Sequence, residues 1–330
     1  MGDVVKGRVE LSTWPTPVER MPRLAARLGL REHDLWIKRD DLIGLGGGGN
    51  KVRKLEWFVG AALAEGADTL VTTGAAQSNH ARLTAAAGAR LGLDVVLVFP
   101  GTPEGTADGS GNLVLDSLFA ARVHWAGDAE PSTLGDVAGE VCERLRRDGA
   151  RPYLIPFGGS SPLGAHGYTE GGEELRAQLP DVDHVVVALG SGGTMAGLVA
   201  ALGQERVLGV HCGAVPEPAA TVADLAGALT GRSVDPGSLR VRTDQVGAGY
   251  GVLHEPVLEA MRTVAETEGI ALDPVYTGRA MAGLVAAVRD GDIGPGQRTV
   301  FLHTGGLPGL FGHTDTVRRT VSALQSWKPA

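Results

Sequence analysis

A lysine preceded by four glycines is the first place in this sequence where residue type and spacing point to chemistry. Gly46-Gly47-Gly48-Gly49-Asn50-Lys51 follows a charged, strand-like stretch, Leu35 to Asp41. It runs into Val52, Leu55, Phe58, Val59 and Ala62 at helical spacing. Glycines remove every Cβ from the approach, so backbone can pass close to a bound group. The lysine then opens a helix, where the macrodipole and unpaired N–H groups are positive. A cation is poorly placed there, and a depressed pKa or conversion to an imine relieves it. A mobile glycine loop ahead of an exposed lysine fits the same residues.

Other loops carry hydroxyls, amides and glycines. Gly190-Ser191-Gly192-Gly193-Thr194 follows an apolar strand and opens a helix, the arrangement of an anion site. The third glycine of a dinucleotide fingerprint falls on Met195, and no Gly-Lys-Ser/Thr follows, so neither a Rossmann fingerprint nor a P-loop is present. A plain tight turn with a Thr cap reads equally well. Gln77-Ser78-Asn79-His80 offers amide and hydroxyl donors to a carboxylate, with Ser or Asn as a helix cap the plainer alternative. His80 is given no role. Two of the four tyrosines, Tyr250 and Tyr276, stand in turns with glycine close by, although a core tyrosine is the usual alternative for either. His303-Thr304-Gly305-Gly306 ends the last strand. The nine histidines show no H-E-x-x-H and no Cys/His cluster at ligand spacing, so no metal is expected. No Gly-x-Ser-x-Gly elbow occurs.

The elements that must position these loops alternate strand and helix. Continuous apolar strands are expected at Thr69–Thr73, Asp94–Phe99, Arg122–Trp125, Tyr153–Ile155, His184–Leu189, Val207–Val210 and Val300–His303. Helices are expected at 24–30, 81–91, 112–121, 132–147, 220–229, 255–268 and 278–289, with Trp14 to Glu19 a rigid extended segment. Strands without polar alternation, separated by helices, imply an α/β protein with two open, mostly parallel twisted sheets covered on both faces. Such sheets bind ligands at the carboxyl ends of their strands, where these loops lie.

Bulk properties exclude several function classes. A chain of 330 residues is long for one core, so two domains are expected. With 30 Lys and Arg against 38 Asp and Glu and no basic run, a nucleic-acid partner is not expected. Cys142 and Cys212 are too few for a disulfide framework and read as buried, inert thiols. No leader-like or membrane-spanning apolar run occurs, so no membrane partner is expected and cytoplasm is the default location.

Five motifs in order give a specific resemblance: Gly49-Asn50-Lys51-x-Arg53-Lys54, Gln77-Ser78-Asn79-His80-Ala81-Arg82, Gly190–Thr194, Asp273-Pro274-Val275-Tyr276-Thr277-Gly278 and His303-Thr304-Gly305-Gly306. Together they resemble the pyridoxal-phosphate enzymes of the tryptophan synthase β fold (fold type II). The similar branch holds D-cysteine desulfhydrase and 1-aminocyclopropane-1-carboxylate (ACC) deaminase, and the likeness runs from about Pro15 to Gly312. It implies pyridoxal 5′-phosphate carried on Lys51, with Asn79 on its phenolic oxygen and Gly190, Ser191, Gly192, Gly193 and Thr194 on its phosphate. It implies Ser78 and Gln77, beside Asn79, on the substrate carboxylate, and Tyr250 and Tyr276 flanking the substrate as catalytic candidates with Lys51 and Ser78. Thr277 and Thr304 stand where the deaminases carry Glu and Leu, and resemble the desulfhydrase side. A hydroxyl beside the pyridine nitrogen leaves the ring a weaker electron sink than a carboxylate does, which suits loss of a thiol better than opening of a cyclopropane.

The resemblance thus implies a homodimeric lyase acting on a small amino acid. It further implies a large cofactor-binding domain from residues 1–51 and 158–330, and a small domain from 52–157. Asp244–Ala248 and His166 depart from the branch patterns. ACC deamination, cysteate desulfonation, another β-elimination or β-replacement, and non-catalytic ligand binding stand as alternatives.

Overall fold

The structure, a computed structural model, describes residues 4–5, 7–106 and 109–324. In chain order the strands are β1 (Val4–Val5), β2 (Arg8–Val9), β3 (Val18–Arg20), β4 (Leu35–Arg39), β5 (Thr69–Thr73), β6 (Asp94–Phe99), β7 (Arg122–Trp125), β8 (Pro152–Ile155), β9 (His184–Leu189), β10 (Val207–His211), β11 (Arg240–Arg242) and β12 (Thr299–His303). The helices are α1 (Pro22–Arg27), α2 (Lys51–Ala64), α3 (Asn79–Leu91), α4 (Asn112–Leu118), α5 (Leu134–Arg147), α6 (Pro162–Gln178), α7 (Gly193–Leu202), α8 (Pro218–Thr230), α9 (Glu255–Glu268), α10 (Thr277–Arg289), α11 (Leu307–Phe311) and α12 (Thr314–Val321).

Two sheets carry the fold. The larger has the order β11-β10-β9-β12-β4-β3, parallel throughout except that edge strand β3 runs antiparallel to β4. The smaller, β7-β6-β5-β8, is wholly parallel. Successive residues of one strand point to opposite faces, and both faces are apolar, so each sheet must be covered twice. In the larger sheet Val186 and Phe301 pack with Leu24, Val257, Met261 and Leu284 on one side. Val187 and Val300 pack with Leu175, Leu198 and Val222 on the other. In the smaller, Leu70 and Leu97 meet α2 and α3, while Val71, Val96 and Val98 meet α5. The architecture is the α/β fold of two mostly parallel sheets that the strand pattern implies.

Local differences have physical causes. The segment from Trp14 to Pro17 bends, and only Val18–Arg20 is strand. The helix expected to reach residue 121 stops at Leu118, because Ala120 turns to φ +58° ahead of β7. Helix α6 was hidden by its glycines, which propensity alone reads as loop. They are required by close approach: a Cβ on Gly167 would lie 2.2 Å from the Arg53 carbonyl oxygen, and one on Gly164 2.3 Å from that of Gly159. Helix α6 therefore lies nearly backbone-to-backbone against α2, the helix that begins with Lys51.

This contact predicts opposite results from two helical glycines. Gly167→Ala forces the α2 and α6 backbones apart and should lower unfolding stability by about 1–3 kcal/mol. Gly139→Ala on α5, where an added Cβ meets nothing within 4 Å, should raise it by about 0.5–1 kcal/mol. Urea denaturation of both variants is the check, and equal effects would show that the close packing is not limiting.

Candidate active site

The carboxyl ends of both sheets converge on one cavity. Its wall takes Asn50 and Lys51 after β4, Ala75, Ser78, Asn79 and His80 after β5, and Phe157 and Gly158 after β8. It also takes Gly190, Ser191, Gly192 and Thr194 after β9, then Tyr250, Tyr276 and Thr304.

The glycine run before Lys51 has φ values of +55°, +84°, +82° and +131° at Gly46 to Gly49, a course open to glycine and strained for other residues. A Cβ on Gly48 would stand 2.2 Å from the Asp41 carbonyl oxygen. The buried guanidinium of Arg82 holds this loop. Nη1 donates to the carbonyls of Gly46 (2.6 Å) and Gly48 (2.9 Å), Nη2 to Asn79 Oδ1 (3.2 Å) and Nε to Asn112 Oδ1 (3.0 Å). Arg53, one position past the first helical pair, fixes α2 by donating to both oxygens of buried Asp40 (2.9 Å each) and to Glu174 on α6. These two arginines stand inside the quoted motifs, but their partners are not readable from residue spacing.

Lys51 Nζ donates to the Gly158 carbonyl (3.0 Å), and Lys54 Nζ lies 3.1 Å from Ser160 Oγ. Burial lowers the Lys51 pKa to about 8, with Lys54 opposing as a hydrogen-bond partner. Burial is thus the cause of the depression expected from the helix start. Lys54 is held well below its usual value, by burial first and then by the charge on Lys51. His80 is buried, and its Nε2 meets Thr72 Oγ1 (3.0 Å), whose own proton goes to the Ile155 carbonyl (2.9 Å). Nε2 is therefore the protonated nitrogen, and Nδ1 is left as a buried acceptor with no hydrogen-bond partner among the described residues.

The Gly190–Thr194 loop turns directly into the start of α7. Gly192 at φ +89° caps α7, Ser160 Oγ accepts from Gly193 N (3.2 Å) and lies 2.8 Å from Ser191 Oγ, and Asn50 Nδ2 donates to Thr194 Oγ1 (3.0 Å). A Cβ on Gly193 would lie 2.8 Å from Lys54 Nζ, so that ammonium stands under the loop. A half-buried and a fully buried lysine beside a helix N-terminus, with no Asp or Glu on the cavity wall among the described residues, make a site suited to an anion. Pyridoxal phosphate fits this donor set: a phosphate for the loop and Lys54, and an aldehyde for a lysine that loses its proton readily.

Other expected residues divide. Ser78 both caps α3, accepting from Ala81 N (3.2 Å), and faces the cavity, so the two readings of that residue hold together. Tyr250 and Tyr276 meet hydroxyl to hydroxyl at 2.6 Å. Burial, then the neighbouring Tyr250, holds the Tyr276 phenol well above its usual pKa, so it remains protonated. Three expected residues are not on this wall. Gln77 spends its amide on Ser110 O and Asn112 N (2.9 Å each). Thr277 is buried against Asp273, donating to Oδ1 (2.7 Å) and accepting from Asp273 N (2.8 Å). Gly193 lies behind the loop's rim. His166 is remote from the wall, packed edge-on to Trp57, and Cys142 and Cys212 are buried, as inert thiols would be.

The sequence pattern of the pyridoxal-phosphate dependent enzymes matches residues 9–305. The chain belongs to this family. A Salmonella schwarzengrund protein named D-cysteine desulfhydrase is 42% identical over 93% of this chain and 96% of its own. A Pyrococcus horikoshii protein named, provisionally, a 1-aminocyclopropane-1-carboxylate deaminase is 40% identical over 93% of this chain and 94% of its own. Among solved structures, one titled as an ACC deaminase homologue superposes with TM-score 0.85 at 40% identity, covering 96% of each chain. Threonine deaminase isoform 2 of Solanum lycopersicum, at 19% identity and TM-score 0.61 over 93% of this chain and 84% of its own, shares the fold. As a pyridoxal-phosphate dependent enzyme of the desulfhydrase and deaminase branch, the protein is a lyase of fold type II.

The lowered Lys51 pKa predicts how this pyridoxal-phosphate enzyme takes up its cofactor. The amine is neutral, and so nucleophilic, above about pH 8. Uptake by cofactor-stripped protein, followed by absorbance from pH 6.5 to 9.5, should accelerate with a midpoint near 8 and then level off. A rate still climbing at the upper limit would place the Lys51 pKa near that of a solvated lysine.

Proposed function

We propose that the enzyme eliminates the β-substituent of a small amino acid, with D-cysteine the leading substrate, giving pyruvate, sulfide and ammonia. The observation that carries this reading is the cavity wall: Thr304 lines it and, among the described residues, neither Asp nor Glu does. Pyridoxal phosphate, when bound, withdraws electrons from the substrate's α-carbon, and without a carboxylate at its ring nitrogen it does so moderately. A thiol that leaves with its electron pair tolerates a moderate sink.

In this reading Lys51 holds the cofactor and, with a pKa of about 8, takes or returns a proton near neutral pH. Asn79 directs its amide nitrogen at the cofactor, its oxygen being held by Arg82. Gly190 to Thr194 and Lys54 bind the phosphate, with Gly193 supporting the loop from behind. Ser78 donates its hydroxyl proton to the substrate carboxylate, since its oxygen already accepts from Ala81 N. Tyr276, neutral and coupled to Tyr250, acts as a proton donor near the substrate. Gln77 sets the loop behind Ser78, and Thr277 sets Tyr276 through Asp273. The larger sheet and residues 1–51 and 158–330 form the cofactor domain in this reading, and 52–157 the small domain. A cytoplasmic homodimer follows from the family resemblance.

Deamination of ACC is the second reading, favoured by the 40% identity to relatives so named. D-cysteine, L-cysteine and ACC, assayed with saturating cofactor for pyruvate or 2-oxobutanoate, separate the two. D-cysteine should be consumed fastest, and faster turnover of ACC would overturn the assignment. Borohydride treatment should fix the cofactor's mass on the peptide containing Lys51. Ser78→Ala should retain that mass yet lose roughly ten- to hundredfold in kcat/KM, the worth of one hydrogen bond to a charged group.

A further inference from the structure

The two tyrosines that meet hydroxyl to hydroxyl at 2.6 Å come from different parts of the fold. Tyr276 stands at the start of α10, where the Asp273 carboxylate fixes it. Oδ2 accepts from Val275 N (2.9 Å) and Tyr276 N (2.8 Å), and Oδ1 from Thr277 N (2.9 Å) and Thr277 Oγ1 (2.7 Å). Tyr250 sits instead in an exposed loop, between Gly249 at φ +145° and Gly251 at φ +74°. Glycines on both sides leave that loop no preferred course of its own.

Three carbonyls of the loop are claimed from outside it. Arg279, on the same helix as Tyr276 and less than one turn further on, is wholly buried. Its Nη2 donates to the carbonyls of Gly249 (2.7 Å) and Val252 (2.8 Å), and its Nη1 to the carbonyl of Cys212, just past β10. Its hydrogen-bond partners among the described residues are all backbone carbonyls, so the planar fork ties the loop to a strand end and does not serve an acid. His313, which caps α12, takes the third carbonyl. Its Nε2 lies 2.7 Å from Gly251 O and carries the proton, since a carbonyl only accepts. Nδ1 then accepts from Thr316 N (3.3 Å). Among the described residues, no other donor from outside the loop reaches a carbonyl of residues 249–252.

We propose that Arg279 and His313 are positioning residues of the active site: by gripping the carbonyls around Tyr250 they set its hydroxyl against that of Tyr276. Helix α10 thereby places both members of the pair, Tyr276 at its own start and Tyr250 through the guanidinium. His313 extends the grip to α12, which puts none of its described residues on the wall of the main cavity. The proposal rests on the reading of the tyrosine pair as a proton donor near the substrate. It is indifferent to which amino acid is consumed.

Five variants of the cofactor-bound enzyme test this: Tyr250→Phe, Arg279→Lys, His313→Asn, and each of the last two combined with Tyr250→Phe. Arg279→Lys keeps a charge but loses the fork that spans Cys212 and the loop. His313→Asn can still cap α12 but is too short to reach the Gly251 carbonyl, so it carries the test if Arg279→Lys does not fold. Turnover is followed by keto-acid release from the faster of D-cysteine and ACC, and loop order by backbone amide exchange of residues 247–253, with 184–194 as control. Each positioning variant should lower kcat roughly tenfold, as misplacement of a reacting group does, with KM and bound cofactor changed by less than about twofold. With Tyr250→Phe already present, the same changes should cost less than about twofold more, because no hydroxyl remains to be misplaced. Exchange should quicken in residues 247–253 and stay as in the wild type in 184–194.

Unchanged exchange of residues 247–253 in both positioning variants would overturn the proposal. So would a loss of kcat as large with Tyr250→Phe as without it, where Tyr250→Phe itself lowers kcat; that pattern marks support of the fold alone. If Tyr250→Phe leaves kcat unchanged, the reading of the pair as proton donor fails. Exchange then decides the grip by itself: quickened exchange supports it and unchanged exchange overturns it.

Discussion

The guanidinium of Arg82 is the constraint on which the rest of the site depends. Four consecutive residues in the left-handed region have little reason to hold one course, because glycine gains nothing from any particular conformation. Arg82 supplies that reason by donating to two of their carbonyls while its other nitrogens tie to Asn79 and Asn112. One buried cation thereby sets the approach to Lys51, the amide of Asn79 and the entry to α4. Its desolvation brings the guanidinium pKa down to about 10, with the charge of Asp116 opposing the shift.

Positive charge is then concentrated further. Lys51 and Lys54 are buried close together, while the nearby carboxylates Asp40 and Glu174 are turned away from them to Arg53. Arg53 and Lys38 with Asp40, Glu174, Thr16 and Tyr168 form a buried ionic network. It anchors α2 without lending its negative charge to Lys51 or Lys54. The division keeps the amines reactive and leaves an anion from outside to complete the site. Charge here is sorted along α2: Arg53 turns to the acids, Lys51 to the cavity and Lys54 to the underside of the Gly190–Thr194 loop.

Much of this was legible in the residues. Strands β5, β6 and β9 stand where largely apolar runs place them, since a buried parallel strand has no alternative face to hide. Lys51, Ser78, Asn79, the Gly190–Thr194 loop, both tyrosines and Thr304 meet across more than 200 residues of sequence because loops after parallel strands gather at one edge. What stayed hidden needed a partner to be seen. Helix α6 looks broken until the α2 backbone is laid against its glycines. Arg82 and Lys54 look like surface cations until their carbonyls and loop are in place. The sequence does not show that Gln77 accepts from Asn112 N or that Thr277 donates to the Asp273 carboxylate.

The larger sheet also has a consequence in time. Strand β4, which leads to Lys51, is flanked by β3 on one side and by β12 on the other, with Leu35 opposite Thr299. The smaller sheet is drawn from the unbroken stretch 69–155, so all its neighbours exist once that stretch has left the ribosome. The larger sheet stays open at its centre until residues 299–303 arrive, and long-range parallel pairing of this kind is slow to form. Lys51 therefore spends nearly the whole of synthesis beside an unfilled gap in the sheet, and the last strand to be made is also the one that brings Thr304 to the wall. Closure of the larger sheet and completion of the cavity wall therefore depend on the same strand.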